Sequence, residues 1–136
     1  MPTELDLEPL EDLASVFKGL SDPTRLAILG LLLLEEEMCV CDIENVLGIT
    51  QSRSSRHLRY LANARLVSTK RVGPWVHYRI TTRKDPTRLA VIDTLRKTLH
   101  GPGMKGLEKR LAQWKRAKGT SSACAAVPSK PEVSHV

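Results

Sequence analysis

The sequence predicts a mainly α-helical domain with a single β-hairpin, on three observations. Apolar residues recur at helical spacing in several segments, Asp or Thr stands ahead of most of those segments where a helix needs a cap, and two β-prone runs flank Gly73-Pro74. With 136 residues, 41% of them apolar, the chain is about one domain long and can bury a modest core. That domain is placed over residues 1–117. Residues 118–136, rich in Ser, Ala, Pro and Lys without periodicity, bury too little to offset the entropy of ordering, and read as a disordered tail containing Cys124.

Residues 8–20 carry Leu10, Leu13, Ala14 and Phe17 as one helical stripe, ended by Gly19 and Ser21-Asp22-Pro23. Asp22-Pro23 then starts a second helix, because a carboxylate accepts orphan N–H groups and proline is tolerated in the first turn; it runs to about Leu34. Asp42–Leu47 forms a short helix capped by Asp42, with Gly48 suited to the left-handed position past its end. Thr50 caps the next helix, whose inward face is Ser54, Leu58, Leu61, Ala62 and Leu66. Its opposite face carries Ser52, Arg53, Arg56, Arg59, Tyr60 and Asn63.

Two helices joined by a Gly-containing turn, the second presenting arginines and hydroxyls, make a helix-turn-helix suited to a major groove. Val67–Val72 and Trp75–Ile80 follow as a hairpin, a basic wing in which Lys70 and Arg71 reach the DNA backbone or minor groove while Trp75 and Tyr78 pack. The fold class is therefore a winged helix-turn-helix.

The helix-start hexapeptide of Asp22–Ala27 returns as Asp85-Pro86-Thr87-Arg88-Leu89-Ala90. The helix it opens has Leu89, Ile92, Leu95 and Leu99 as a stripe until Gly101-Pro102-Gly103, and Met104–Arg116 forms another, more basic helix. Terminal helices in so short a chain have little partner surface within one subunit, so their stripes are expected to pair two copies of the chain.

Charge points to the partner. Residues 1–44 hold eleven acidic residues against Lys18 and Arg25, whereas Asn45–Thr82 has no Asp or Glu and seven Arg or Lys. A polyanion fits that block better than a membrane, for which it has too little apolar surface. Three cysteines, no apolar run long enough to span a bilayer and no signal peptide lead us to expect a reducing cytoplasm.

Cys39-Val40-Cys41 lies just ahead of the short helix, and in extended chain residues two apart point to one side, so two thiolates can converge on a soft ion. Were the helix to extend back through both, they would lie about 200° apart; ligation and local helix therefore oppose each other. The competing reading is that both cysteines merely pack, as small core residues often do. Cys124 is a possible third sulfur. Asp93 and His100 fall near one helix face, but two isolated ligands make a poor zinc site.

The residues resemble the ArsR/SmtB family of metal-sensing repressors, and most closely its arsenical-resistance operon repressors, over roughly Leu13–Pro86. The segments that carry the resemblance are Leu20–Leu26, Cys39–Ile43, Ser52–Leu58 and Trp75–Arg79. The resemblance implies a winged-helix homodimer, paired through terminal helices, that blocks transcription until trivalent arsenic or a related ion binds Cys39 and Cys41. Arsenite sensors of the family often carry a further cysteine where this chain has Glu44. Cadmium and lead sensors draw cysteines from an N-terminal extension, and no cysteine precedes Cys39. Zinc and nickel sensors use pairs on the last helix that residues 86–117 do not reproduce.

The expected function is an arsenite-responsive repressor of operator double-stranded DNA. Gln51, Ser52, Arg53, Ser55, Arg56, His57 and Arg59 meet the operator, Lys70 and Arg71 hold the wing, and no obligatory cofactor is needed. Antimony, cadmium or lead are alternative inducers, and a metal-indifferent DNA-binding protein is the alternative outside the sensor class. A redox switch would need a strained bridge between residues 39 and 41. No Gly-rich phosphate loop, nucleophile elbow or dense cluster of His and carboxylates speaks for an enzyme.

Overall fold

The computed structural model describes residues 5–119. In chain order they form α1 (Glu8–Leu20), α2 (Pro23–Leu34), β1 (Met38–Cys39), α3 (Val40–Leu47), α4 (Gln51–Asn63), β2 (Val67–Val72), β3 (Trp75–Ile80), α5 (Pro86–Thr98), a 3-10 turn (Pro102–Met104) and α6 (Lys105–Lys118). The predicted winged helix-turn-helix is present, α3 and α4 being its helix pair and β2–β3 its wing.

Local chemistry sets the boundaries. The Asp22 carboxylate accepts the N–H groups of Thr24 and Arg25 at 2.8 and 3.1 Å, and Asp85 accepts that of Arg88 at 3.0 Å. Thr50 Oγ1 accepts the Arg53 N–H at 3.2 Å to start α4. Gly48, at φ 68°, makes the left-handed turn between α3 and α4, a conformation that costs a residue with Cβ.

The hairpin pairs Val67 with Ile80 through Val72 with Trp75, and β1 joins its other edge, Met38 opposite Tyr78 and Cys39 opposite His77, for the order β1-β3-β2. The sequence did not suggest this third strand, because two residues are too few to show a two-residue alternation. Beneath the sheet and between the helices, Val16, Ile28, Leu29, Leu31, Met38, Ile43, Val46, Leu58, Leu61 and Leu66 form one core, with Leu95 and Leu111 at its edge. Gly30 lets the 3-10 turn approach α2 closely; a Cβ there would lie 2.7 Å from Met104 Cε.

Two expectations change. The short helix begins at Val40 rather than Asp42: Cys39 is the N-cap, and Asp42, three residues on, returns its carboxylate to the Cys39 N–H at 3.2 Å, so it is a capping-box partner and not the cap. And α6 continues through Lys118 and packs inside the subunit, Leu107, Leu111 and Trp114 joining the core, so its stripe is not an outward pairing surface. The α1 stripe does stay outward, with Leu10 56%, Leu13 39% and Phe17 61% exposed, as does Leu89 of α5. The expected tail beyond Lys118, with Cys124, lies outside the described residues apart from Gly119. No described helix is long and apolar enough to cross a membrane.

Candidate nucleic-acid interface and thiol pair

Helix α4 buries Ser54, Leu58 and Leu61 and leaves Gln51, Ser52, Arg53, Ser55, Arg56 and Arg59 exposed. Ser54 fits its inward position because its hydroxyl donates to Thr50 O at 3.0 Å, which satisfies a buried polar group within the helix's own first turn. On the wing, Lys70 and Arg71 are exposed on β2, Lys70 Nζ lying 3.7 Å from Glu37. Eight of the nine predicted DNA-facing side chains thus share an outward face or the adjoining wing.

His57 is the ninth, and it turns inward. Its side chain is 12% exposed, with Nδ1 3.2 Å from Arg25 Nη1 and 3.8 Å from Asp22. Burial, reinforced by Arg25, Arg53 and Arg56 and opposed by Asp22, holds the imidazole below its ordinary pKa. Tyr60, placed on the outward face by helical spacing, instead lies under two cations, the Arg25 guanidinium 4.4 Å and the Lys18 ammonium 5.2 Å from its ring centre.

Arg25 organises this region, a role its reading as a mere acidic-half countercharge missed. It is 8% exposed; its Nε donates to Gly19 O at 3.0 Å and its Nη2 to Lys18 O at 2.8 Å. One guanidinium thereby closes the C-terminus of α1, sits at the start of α2 and supports α4 through His57 and Tyr60. The signal available in the sequence was the position of an arginine three residues after a helix cap.

The thiols sit astride a helix start. Cys39 is buried in extended backbone as the N-cap, and Cys41 is half-buried at the second helical position. Cys39 is disulfide-bonded in this structure, so the reduced chain is the form that offers both sulfurs. Across the sheet Cys39 faces His77, whose Nδ1 lies 2.7 Å from Glu37; that hydrogen bond, with Lys70 and Arg79 nearby, holds the Glu37 carboxyl below its usual range against the effect of burial. Asp42 accepts from Cys39 N–H on one oxygen, and on the other from Trp114 Nε1 at 2.9 Å and Lys118 Nζ at 2.7 Å. Sequence reading missed this junction, although the three-residue Cys39-to-Asp42 spacing and the stripe Leu107, Leu111, Trp114, Lys118 both signal it.

Among the described residues no three His, Cys, Asp or Glu cluster so as to hold a metal ion. The donor chemistry of Cys39 and Cys41 suits a thiophilic ion, but their placement requires the first turn of α3 to be re-aimed before both sulfurs meet one ligand. Asp93 pairs with Lys97 at 3.0 Å on an exposed helix face, and His100 lies beyond the end of α5.

A profile of the bacterial regulatory protein family arsR matches residues 22–69, which run from the α2 cap into the wing. The arsenical resistance operon repressor of Escherichia coli K12 is 40% identical over 78 residues, 57% of this chain and 67% of that one. A cadmium resistance transcriptional regulatory protein, a CadC homolog of Staphylococcus aureus, is 43% identical over 67 residues, 49% of this chain and 55% of its own length, so the chain spans about half of that relative. Among solved structures, the homodimeric winged helix-turn-helix DNA-binding domain Mb0332 of Mycobacterium bovis superposes with a TM-score of 0.58 at 30% identity, covering 74% of this chain and 93% of that one. The fold and these relatives place the chain in the class of winged helix-turn-helix transcription regulators. The chain belongs to the ArsR family of bacterial regulatory proteins.

Proposed function

We propose that the chain represses transcription as a homodimer on operator DNA and releases it when a thiophilic ion, arsenite foremost, is taken up by Cys39 and Cys41. The observation that carries the DNA half is the outward face of α4: Arg53, Arg56 and Arg59 stand exposed among Gln51, Ser52 and Ser55, within a stretch from Asn45 to Thr82 that contains no carboxylate. Arginine in a major groove reads guanine edges or phosphates, while the serines and the wing's Lys70 and Arg71 position the protein on the backbone. His57 contributes from behind, through Arg25.

Pairing through α1 and α5 is supported by their exposed apolar side chains, a patch that a second copy would cover. The inducer half is supported by the two cysteines at the first turn of the helix that carries α4. Re-aiming that turn moves Gly48 and Thr50 and so the base of the recognition helix, which gives ligand and DNA opposite preferences between two states. Antimony, cadmium and lead share the chemistry; relatives named for arsenic and cadmium resistance favour the soft-ion class without choosing within it.

The test is fluorescence anisotropy of the reduced protein on its own promoter DNA at fixed salt, titrated separately with arsenite, antimonite, cadmium and lead. Arsenite should release the wild type and leave Cys39→Ser and Cys41→Ser bound, and Arg56→Ala should weaken operator binding about tenfold. Operator binding indifferent to all four ions would sink the sensor reading and leave the DNA-binding module. Loss of response in Cys124→Ser would add a third sulfur.

A further inference from the structure

We infer that α6 is a tether that sets how readily Cys39 and Cys41 take their ligand, acting through the carboxylate of Asp42 and resting on the thiol reading above. Asp42 is a positioning residue: its Oδ2 accepts the Cys39 N–H at 3.2 Å, while its Oδ1 accepts from Trp114 Nε1 at 2.9 Å and Lys118 Nζ at 2.7 Å. The side chains of Asp42 and Lys118 are only 10% and 13% exposed, so these bonds are little weakened by solvent. At the other end of α3, Arg110 Nε donates to Val46 O at 2.6 Å. A single helix thus fastens both ends of α3, and its three anchoring residues, Arg110, Trp114 and Lys118, lie outside the exposed face of α4.

The consequence follows from where the cysteines sit. One is the N-cap of α3 and the other lies in its first turn, so two sulfurs two residues apart converge only if that turn loosens or rotates. The Asp42 carboxylate holds the turn closed by its bond to the backbone of the first cysteine, and α6 holds the carboxylate. Trp114 and Lys118 therefore stabilise the ligand-free, DNA-competent arrangement over the ligated one. Loosening them reduces what the ligand must overcome, and ligand affinity rises by the same factor.

The experiment uses the reduced full chain with Trp114→Phe, Lys118→Met and the double substitution, which keep the packing and remove the donors. Arsenite and cadmium binding are read without DNA from the ultraviolet sulfur-to-metal charge-transfer band, and operator release from anisotropy. In the double variant ligand binding should tighten about fivefold or more, with ligand-free operator affinity within about twofold of wild type and Lys118→Arg close to wild type. Unchanged or weaker ligand binding in the double variant, with only a lowered thermal midpoint, means that α6 is merely structural and overturns the tether while leaving the thiol site standing. Absence of the charge-transfer band in the wild type with either ion removes the thiol reading itself, and the tether with it.

Discussion

The chain carries the same six residues twice, at Asp22–Ala27 and at Asp85–Ala90, and the two copies begin alike and end differently. In each, Asp caps a helix, Pro opens it, and a buried arginine turns back to the carbonyls that close an earlier helix. Arg25 reaches Lys18 O and Gly19 O at the end of α1; Arg88, 2% exposed, reaches Ala64 O at the end of α4 at 2.7 and 3.2 Å. The remaining guanidinium edge separates them. Arg88 meets Asp12 of α1 in a two-pronged pair at 2.7 and 2.9 Å, whereas Arg25 meets the His57 imidazole and the Tyr60 ring, both on the recognition helix. A motif that starts helices is thus used once as a lock on the scaffold and once as a bearing under the DNA-reading helix.

The largest effect should come from removing the lock. Arg88→Met leaves the Ala64 carbonyl and the part-exposed Asp12 carboxylate without their buried donor and should lower the urea midpoint more than any other substitution named here. Arg25→Met loses bonds to neutral acceptors and should cost about 2 kcal/mol, but it also frees α4, so operator affinity per folded molecule should fall about tenfold. Urea unfolding and anisotropy on the same samples separate the two. If Arg88→Met impairs DNA binding more than Arg25→Met at equal fraction folded, the division between lock and bearing is wrong.

Most of the fold was legible because its signals are local. The caps Asp22, Thr50 and Asp85, the Gly48 turn and the alternation of the hairpin each act within a few residues, and the helices they bound agree with the structure to within a residue or two, except that α4 ends at Asn63: Leu66, read as part of its inward face, follows the left-handed Arg65 (φ 57°) and reaches the core from outside the helix. What was not legible depends on contacts distant in sequence. β1 exists only because β3 pairs with it, Asp42 is a junction only because Trp114 and Lys118 arrive from 72 and 76 residues away, and the α6 stripe marks a face to be buried without naming α3 as its partner. Helical spacing placed Tyr60 on the outward face of α4, but it cannot show that the ring packs against Lys18 and Arg25, nor that His57, which that face did not include, turns inward to Arg25.

A smaller difference is expected between the two caps. Asp22 accepts two backbone N–H groups and Asp85 one, so Asp22→Ala should cost about 1 kcal/mol and Asp85→Ala less, read as the shift in urea midpoint at constant slope. Equal shifts would mean that the second N–H bond adds nothing, and that the two helix starts are interchangeable after all.

The smallest effect concerns acid, and it distinguishes the two arginines by the groups they face. Asp12 is held below its ordinary pKa by its hydrogen bond to Arg88, and that is not reversed by the effect of burial, so the lock persists until the pH falls below the usual carboxylate range. His57 is held below 6.5 by burial and by the cations Arg25, Arg53 and Arg56, despite Asp22. Between its lowered folded value and 6.5 the unfolded chain binds more protons than the folded one, so stability contributed here is present above 6.5 and is lost as the pH falls through that interval. Protonation would also set a second cation against Arg25 beneath α4. Operator affinity of the wild type should therefore decline a few-fold between pH 7.5 and about 5.5 relative to His57→Gln, compared at one ionic strength because phosphate contacts carry their own salt dependence. Parallel pH profiles for the two proteins would show that the imidazole stays neutral or that its charge does not reach α4, and the bearing would then rest on Tyr60 alone.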